Sequence, residues 1–156
     1  MIPVRAGSSR LKLKNLALVN GEPLIYFAIQ AAKESKVFNR VIVNSDHEVF
    51  GKIAERYEVD YYQRPEALGS SETKSDEVVV DFMRAYPQAD IVAWVNTISP
   101  FQIGSEVARV VNYFLRKKLD SLITVENKQV HTIWNDKPVN YDPNVPFLLT
   151  QDIVPV

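Results

Sequence analysis

Residues 40–62, RVIVNSDHEVFGKIAERYEVDYY, decide the fold. Arg40–Asn44 is a β-branched run, and Ser45-Asp46 closes it with residues that favour turns. Val49, Ile53, Ala54 and Tyr57 then recur at helical spacing, and Val59–Tyr62 supplies a second short strand pattern. Strand, helix, strand at this spacing is the unit from which parallel sheets are built, because parallel neighbours need a crossover about as long as a helix.

The same alternation extends in both directions. Upstream, Ile2–Val4 is a short apolar run that begins directly at Met1, as though the strand's start were trimmed. A polar, basic stretch follows from Arg5 to Asn15. The Asn20-Gly21 turn then leads to Pro23, which suits a helix's first turn, and Leu24, Phe27, Ala28 and Ala31 predict a helix ending near Lys36. Downstream, Arg64-Pro65 ends the second strand, and Ser75 is placed to cap a helix over Asp76–Tyr86. Ile91–Val95 is apolar on both faces, as a central parallel strand covered by helices would be. Ser105–Lys118 is an amphipathic helix, and Ser121–Val125 is a further strand. The expectation is an α/β fold with a doubly wound, mostly parallel sheet, whose ligands sit beyond the carboxyl ends of the strands. From Glu126 the pattern decays into Asn, Asp and Pro, with His131, Trp134, Tyr141 and Phe147 scattered through it. Residues 1–125 are therefore expected to form a nucleotide-binding core. Residues 126–156 are expected to be an excursion that serves dimerisation and leaves the domain incomplete at its C-terminal end.

Composition narrows the function. With 156 residues the chain fits one domain. Its 18 Lys+Arg against 19 Asp+Glu leave no basic excess for nucleic acid or an anionic membrane. The absence of cysteine removes disulfides, thiolate catalysis and cysteine-ligated zinc, and suits a reducing cytoplasm. No apolar run reaches membrane-spanning length, and MIPVRAGSSR lacks the apolar centre of a signal peptide. Cytoplasmic residence is expected.

Cationic chemistry must then be local, and one loop concentrates it. PVRAGSSRLKLKN, residues 3–15, carries Arg5, Arg10, Lys12 and Lys14 around Gly7, Ser8 and Ser9. Glycine lets backbone amides approach an anion, serine adds donors, and Arg or Lys neutralises phosphoryl oxygens. On charge alone a solvated surface loop would look the same. The loop matches neither G-x-x-x-x-G-K-[ST] nor G-x-G-x-x-G.

The loop does resemble the signature P-A-R-G-G-S-K-x-L-x-x-K-N of the acylneuraminate cytidylyltransferases, the CMP-sialic acid synthetases. The resemblance continues in register through N20-G-E-P-L24, V43-N-S-D46, R64-P-E-A-L68, Ser75, N96-T-I-S-P-F-Q102, D120-S-L-I-T-V125 and T150-Q-D152. It implies a Rossmann-like, nucleotide-diphospho-sugar transferase-like fold, working as a homodimer. The implied reaction joins CTP and a nonulosonic, sialic-type sugar acid into a CMP-sugar with release of pyrophosphate, assisted by Mg2+. Carried onto this chain, Arg5 and Lys14 would stabilise the triphosphate during attack. Ser8 and Arg10 would help hold phosphate, while Asn15, Arg64, Ser75 and Asn96 would contact the nucleotide. Asn96, Ser99 and Gln102 would meet the sugar acid. The attack is an in-line displacement, so positioning and charge stabilisation should do most of the catalysis and no protein nucleophile is needed.

Three departures from the family's pattern matter for activity: Ser9 stands for a lysine, Asn96 for a glutamine and Gln102 for an arginine. Losing the guanidinium at position 102 removes a planar partner for a carboxylate or phosphate. The aspartates that bind metal in the family would lie beyond Val156, so no metal ligand is assigned within this chain. Two rival readings follow: a catalytically impaired nucleotide-binding or interaction protein of the same fold, and a nucleotidylyltransferase for another sugar. Elsewhere plainer roles are expected. Asp46 would cap the following helix or face the site, His47 and His131 would be exposed or structural, and Trp94 would belong to the core. Asp76-Glu77 would complement a helix dipole.

Overall fold

The structure, a computed structural model, describes residues 1–7, 11, 13–144 and 154–156. Ser8, Ser9, Arg10 and Lys12 of the basic loop, together with Phe147 and the Thr150–Asp152 stretch, lie outside the described residues. The described chain forms two compact units, Met1–Lys118 and Leu119–Val156.

In the first unit, β1 (Ile2–Val4), β4 (Ile42–Ser45) and β5 (Asp60–Gln63) form a parallel sheet in the order β1-β4-β5. Ile2 pairs with Val43, and Asn44 with Tyr62. Between β1 and β4 lie a hairpin, β2 (Leu18–Val19) and β3 (Glu22–Pro23), and the helix α1 (Leu24–Ser35). The hairpin turns on Asn20 and Gly21, both with positive φ, the backbone state that favours Asn-Gly in two-residue loops. Helix α2 (Val49–Arg56) joins β4 to β5, and α3 (Ser75–Ala85) and α4 (Gly104–Lys117) follow.

Ile91–Val95 does not form the regular strand expected of it, yet it occupies a strand's position. The Met1 ammonium donates to the Ala93 carbonyl at 2.9 Å, and the Val95 N–H donates to the Met1 carbonyl at 3.0 Å, a parallel pattern on the free edge of β1. After running from β1 to β4 to β5, the chain thus returns to the other side of β1. That reversal creates a crevice at the carboxyl end of β1, where open α/β sheets bind ligands. Ser121–Val125, the other expected strand, forms none, and Ile123 and Val125 are among the most exposed apolar residues.

Pleat alternation sends side chains to two cores. Ile2, Val4, Val43 and Val95 pack with Ile25, Ala28 and Ile29 of α1 and with Phe50 and Ala54 of α2. Met1 and Ile42 pack with Phe82 of α3. Two separate apolar clusters on one parallel sheet make the fold doubly wound. Helix α4 lies against α1, closely enough that a Cβ on Gly104 would stand 2.7 Å from Glu34 Cβ.

In the second unit, β6 (Ile133–Trp134) and β7 (Lys137–Pro138) form a small antiparallel hairpin around Asn135 and Asp136, both with positive φ. Among the described residues, no helix is long and apolar enough to cross a membrane.

Candidate functional site

A cleft of about 300 Å³ opens at the carboxyl end of the sheet in the first unit. It is lined from β1 onward by Arg5, Gly7, Lys14 and Asn15, from beyond β5 by Arg64 and Ser75, and from the returning segment by Trp94, Asn96 and Ile98. Six residues singled out in the sequence (Arg5, Lys14, Asn15, Arg64, Ser75 and Asn96) therefore converge on one cavity. Ser99 and Gln102 do not line it. They form a turn in which the Gln102 N–H donates to the Ser99 carbonyl at 3.1 Å. Ser8 and Arg10 lie outside the described residues.

A hollow of about 370 Å³ lies near the amino ends of β4 and β5, lined by Lys33, Arg40, Glu58 and Asp60 among others. Its charges already satisfy one another, Arg40 with Asp60 at 2.8 Å and Lys33 with Glu58 at 3.9 Å. It therefore offers a ligand little that is unpaired, and the sheet topology also favours the first cleft.

Arg64 is the buried charge of the cleft, with 4% of its surface exposed. Its backbone N–H extends the β4–β5 ladder by donating to the Ser45 carbonyl at 2.8 Å, which carries the side chain under the cleft. Nη1 donates to the Asn44 carbonyl at 2.9 Å and to Asn44 Oδ1 at 3.1 Å, and Nη2 faces Asp46 Oδ1 at 3.5 Å. Nε is buried with no partner among the described residues. Burial lowers the guanidinium's pKa and the Asp46 carboxylate works against that, but arginine keeps its charge throughout the ordinary pH range. Asp46 therefore pairs with Arg64 rather than capping α2. The opening of α2 is tied instead by His47, whose Nδ1 accepts the Val49 N–H at 3.1 Å. Gly69 closes over the pair: a Cβ there would fall 2.2 Å from Asp46 Oδ2.

On the other side, Arg5 Nη1 donates to the Ser70 carbonyl at 2.8 Å, drawing the loop after β1 toward the Gly69–Thr73 stretch. Leu13 adopts a left-handed backbone, φ 50°, and turns the chain into a short 3-10 helix, Lys14–Leu16. That turn buries Asn15, whose Nδ2 donates to the Arg5 carbonyl at 3.3 Å while its Oδ1 accepts the Thr97 hydroxyl at 2.8 Å. Asn15 thus stitches the loop to the returning segment and keeps one amide hydrogen and one lone pair unspent. Lys14 is half-buried, and its ammonium pairs with no side chain among the described residues.

Two expectations need correcting. Ser75 is the first residue of α3 rather than its cap; the Lys74 N–H is taken by the Glu77 carboxylate at 3.4 Å, and Ser75 lines the cleft. Trp94 is not core: 39% of it is exposed, and it lines the cavity. The missed signal was period-2 alternation, with Val95 and Thr97 buried while Trp94, Asn96 and Ile98 face outward.

A sequence model of the cytidylyltransferase family matches residues 1–140. The chain belongs to the cytidylyltransferase family. Among individual cytidylyltransferases, it is 33% identical over 114 residues to the N-acylneuraminate cytidylyltransferase of Escherichia coli O18:K1:H7 (strain RS218 / NMEC), a match covering 73% of this chain and 27% of that protein. It is 29% identical over 125 residues to N-acylneuraminate cytidylyltransferase A of Danio rerio, covering 80% and 29% respectively. The chain thus spans under a third of the length of these relatives. Among solved structures, a CMP:2-keto-3-deoxy-manno-octonic acid synthetase complexed with CTP superposes with a TM-score of 0.63 at 18% identity, covering 75% of this chain and 46% of that one. A cytidylyltransferase from Leptospira borgpetersenii gives 0.61 at 22% identity, covering 75% and 48%. Both likenesses bear on the cytidylyltransferase fold alone.

Proposed function

We propose that the protein to which this chain belongs transfers CMP from CTP to a nonulosonic sugar acid. The observation that carries the proposal is the convergence of Arg5, Lys14 and Arg64 with Asn15, Ser75 and Asn96 on one crevice where the sheet reverses direction. In this reading a sugar hydroxyl oxygen attacks the α-phosphorus as the bond to the bridging oxygen breaks. Pyrophosphate departs, and the hydroxyl proton passes to solvent. Arg5 and Lys14 face the phosphates, where fixed cations offset negative charge that grows on the departing pyrophosphate. Arg64, Asn15 and Ser75 hold the cytidine end. Asn96, Ser99 and Gln102 serve the acceptor, Ser99 and Gln102 from the turn beyond the cleft, and Ser8 and Arg10 add phosphate contacts.

Magnesium is the metal the resemblance implies. Among the described residues no group of three or more His, Asp or Glu side chains gathers into a metal site, so no ligand is assigned to it and no step here runs through it. We extend the proposal to a nucleotide-binding core over residues 1–125 and a dimerisation segment over 126–156 in a cytoplasmic homodimer. The compact units on either side of Lys118 support a division in this region, and exposed Ile133, Trp134 and Val139 support an apolar contact surface.

The test is to incubate the full-length protein with CTP, magnesium and a panel of nonulosonic acids while measuring pyrophosphate. Release with at least one acid is expected. CTP binding without release would favour the impaired-binder reading, and neither binding nor release would overturn the proposal.

A further inference from the structure

Trp94 has no role in that scheme, yet it is the largest side chain facing the cleft. Its position follows from the strand order. The 91–95 segment flanks β1 on one side, and β4 and β5 flank it on the other, so Trp94 and Arg64 stand on opposite sides of the β1 loop. If phosphates lie over that loop, the nucleoside and the acceptor must divide the two flanks between them. The Arg64 flank holds a guanidinium fixed by Asn44 and Asp46, the kind of rigid polar group that reads a base edge. The Trp94 flank is built differently. Trp94, Asn96 and Ile98 are exposed and line the cleft, Ile98 from a turn in which its N–H donates to Asn96 Oδ1 at 3.3 Å, while Val95 and Thr97 are buried. An indole and a branched aliphatic side chain with a single amide between them make an amphipathic wall. A sugar ring fits such a wall, laying its C–H face on the indole and its hydroxyls toward the amide.

We propose that Trp94, with Ile98 beside it, is the platform on which the acceptor sugar acid stacks, and so a specificity-determining residue of this chain. The inference rests on the transferase reading. It assigns the acceptor's ring to residues 94–98, which line the cleft directly, leaving Ser99 and Gln102 in the turn beyond it.

The experiment uses the full-length protein with N-acetylneuraminate and 2-keto-3-deoxy-manno-octonic acid as acceptor probes, CTP saturating, and pyrophosphate as readout. CTP affinity is measured separately by calorimetry. Trp94→Ala is expected to raise the acceptor KM at least tenfold while CTP affinity stays within twofold, and Trp94→Phe should recover most of the loss. Ile98→Ser, at a residue 59% exposed, should raise the acceptor KM severalfold with CTP affinity again unchanged. A loss of CTP affinity in Trp94→Ala without a change in acceptor KM would place the base on the indole and overturn the inference. Unchanged acceptor KM in both Trp94→Ala and Ile98→Ser would overturn it as well, while leaving the transferase reading intact. If the unmodified protein turns over neither acid nor any other, the transferase reading falls first and takes this inference with it.

Discussion

Arg64 and Lys14 bring the same charge to the same cleft from regions built in contrasting ways. Arg64 sits beyond β5 among Asn44, Asp46 and the close-packed Gly69, with 4% of its surface exposed. Lys14 sits on a one-turn 3-10 helix with no side-chain partner among the described residues. The first is part of the fold and the second is spare. A buried ion pair contributes little net stability when intact, but removing one partner leaves an uncompensated charge. An unpaired half-exposed lysine costs the fold almost nothing to remove. The two residues therefore separate stability from ligand binding.

The sharpest way to break this contrast is to truncate both. Arg64→Ala should destabilise the protein by about 3 kcal/mol, because Asp46 and the Asn44 amide lose their partner. Lys14→Ala should leave denaturation midpoints essentially unchanged while lowering CTP affinity about tenfold or more. Chemical denaturation and calorimetric CTP titration check both halves; equal stability losses would erase the distinction.

A smaller effect is expected from Thr97→Val, which removes the hydroxyl that donates to buried Asn15. A loss of about 1–2 kcal/mol is the usual consequence of a buried acceptor left unsatisfied. CTP binding should weaken with it, because Asn15 also holds the Arg5 carbonyl; unaltered binding would show that this stitch serves the fold alone.

The regions that were legible in the sequence are those where local pattern and tertiary demand agree. The 40–62 unit showed both strands and the helix between them, because β-branched runs and helical spacing were not in competition there. The basic loop announced itself by its charge. What stayed hidden depended on partners remote in sequence. Asp46 reads as a cap until Arg64 is folded against it, and Ser75 reads as a cap until Glu77 reaches back to the Lys74 N–H. The apolar run around Trp94 suggested a strand buried on both faces. The segment leans on β1 through only a pair of backbone bonds, so alternate side chains remain free to face the cleft. Ser99 and Gln102 fall in register with a motif, and register does not show which residues of a turn reach the cavity.

The most direct test of the account is a crystal structure of the full-length protein with CTP bound. The triphosphate should lie against Arg5 and Lys14 over the end of β1, with the cytosine on the Arg64 side and Trp94 left clear of it. Phosphates bound elsewhere, with Arg5 and Lys14 touching none of them, would contradict it.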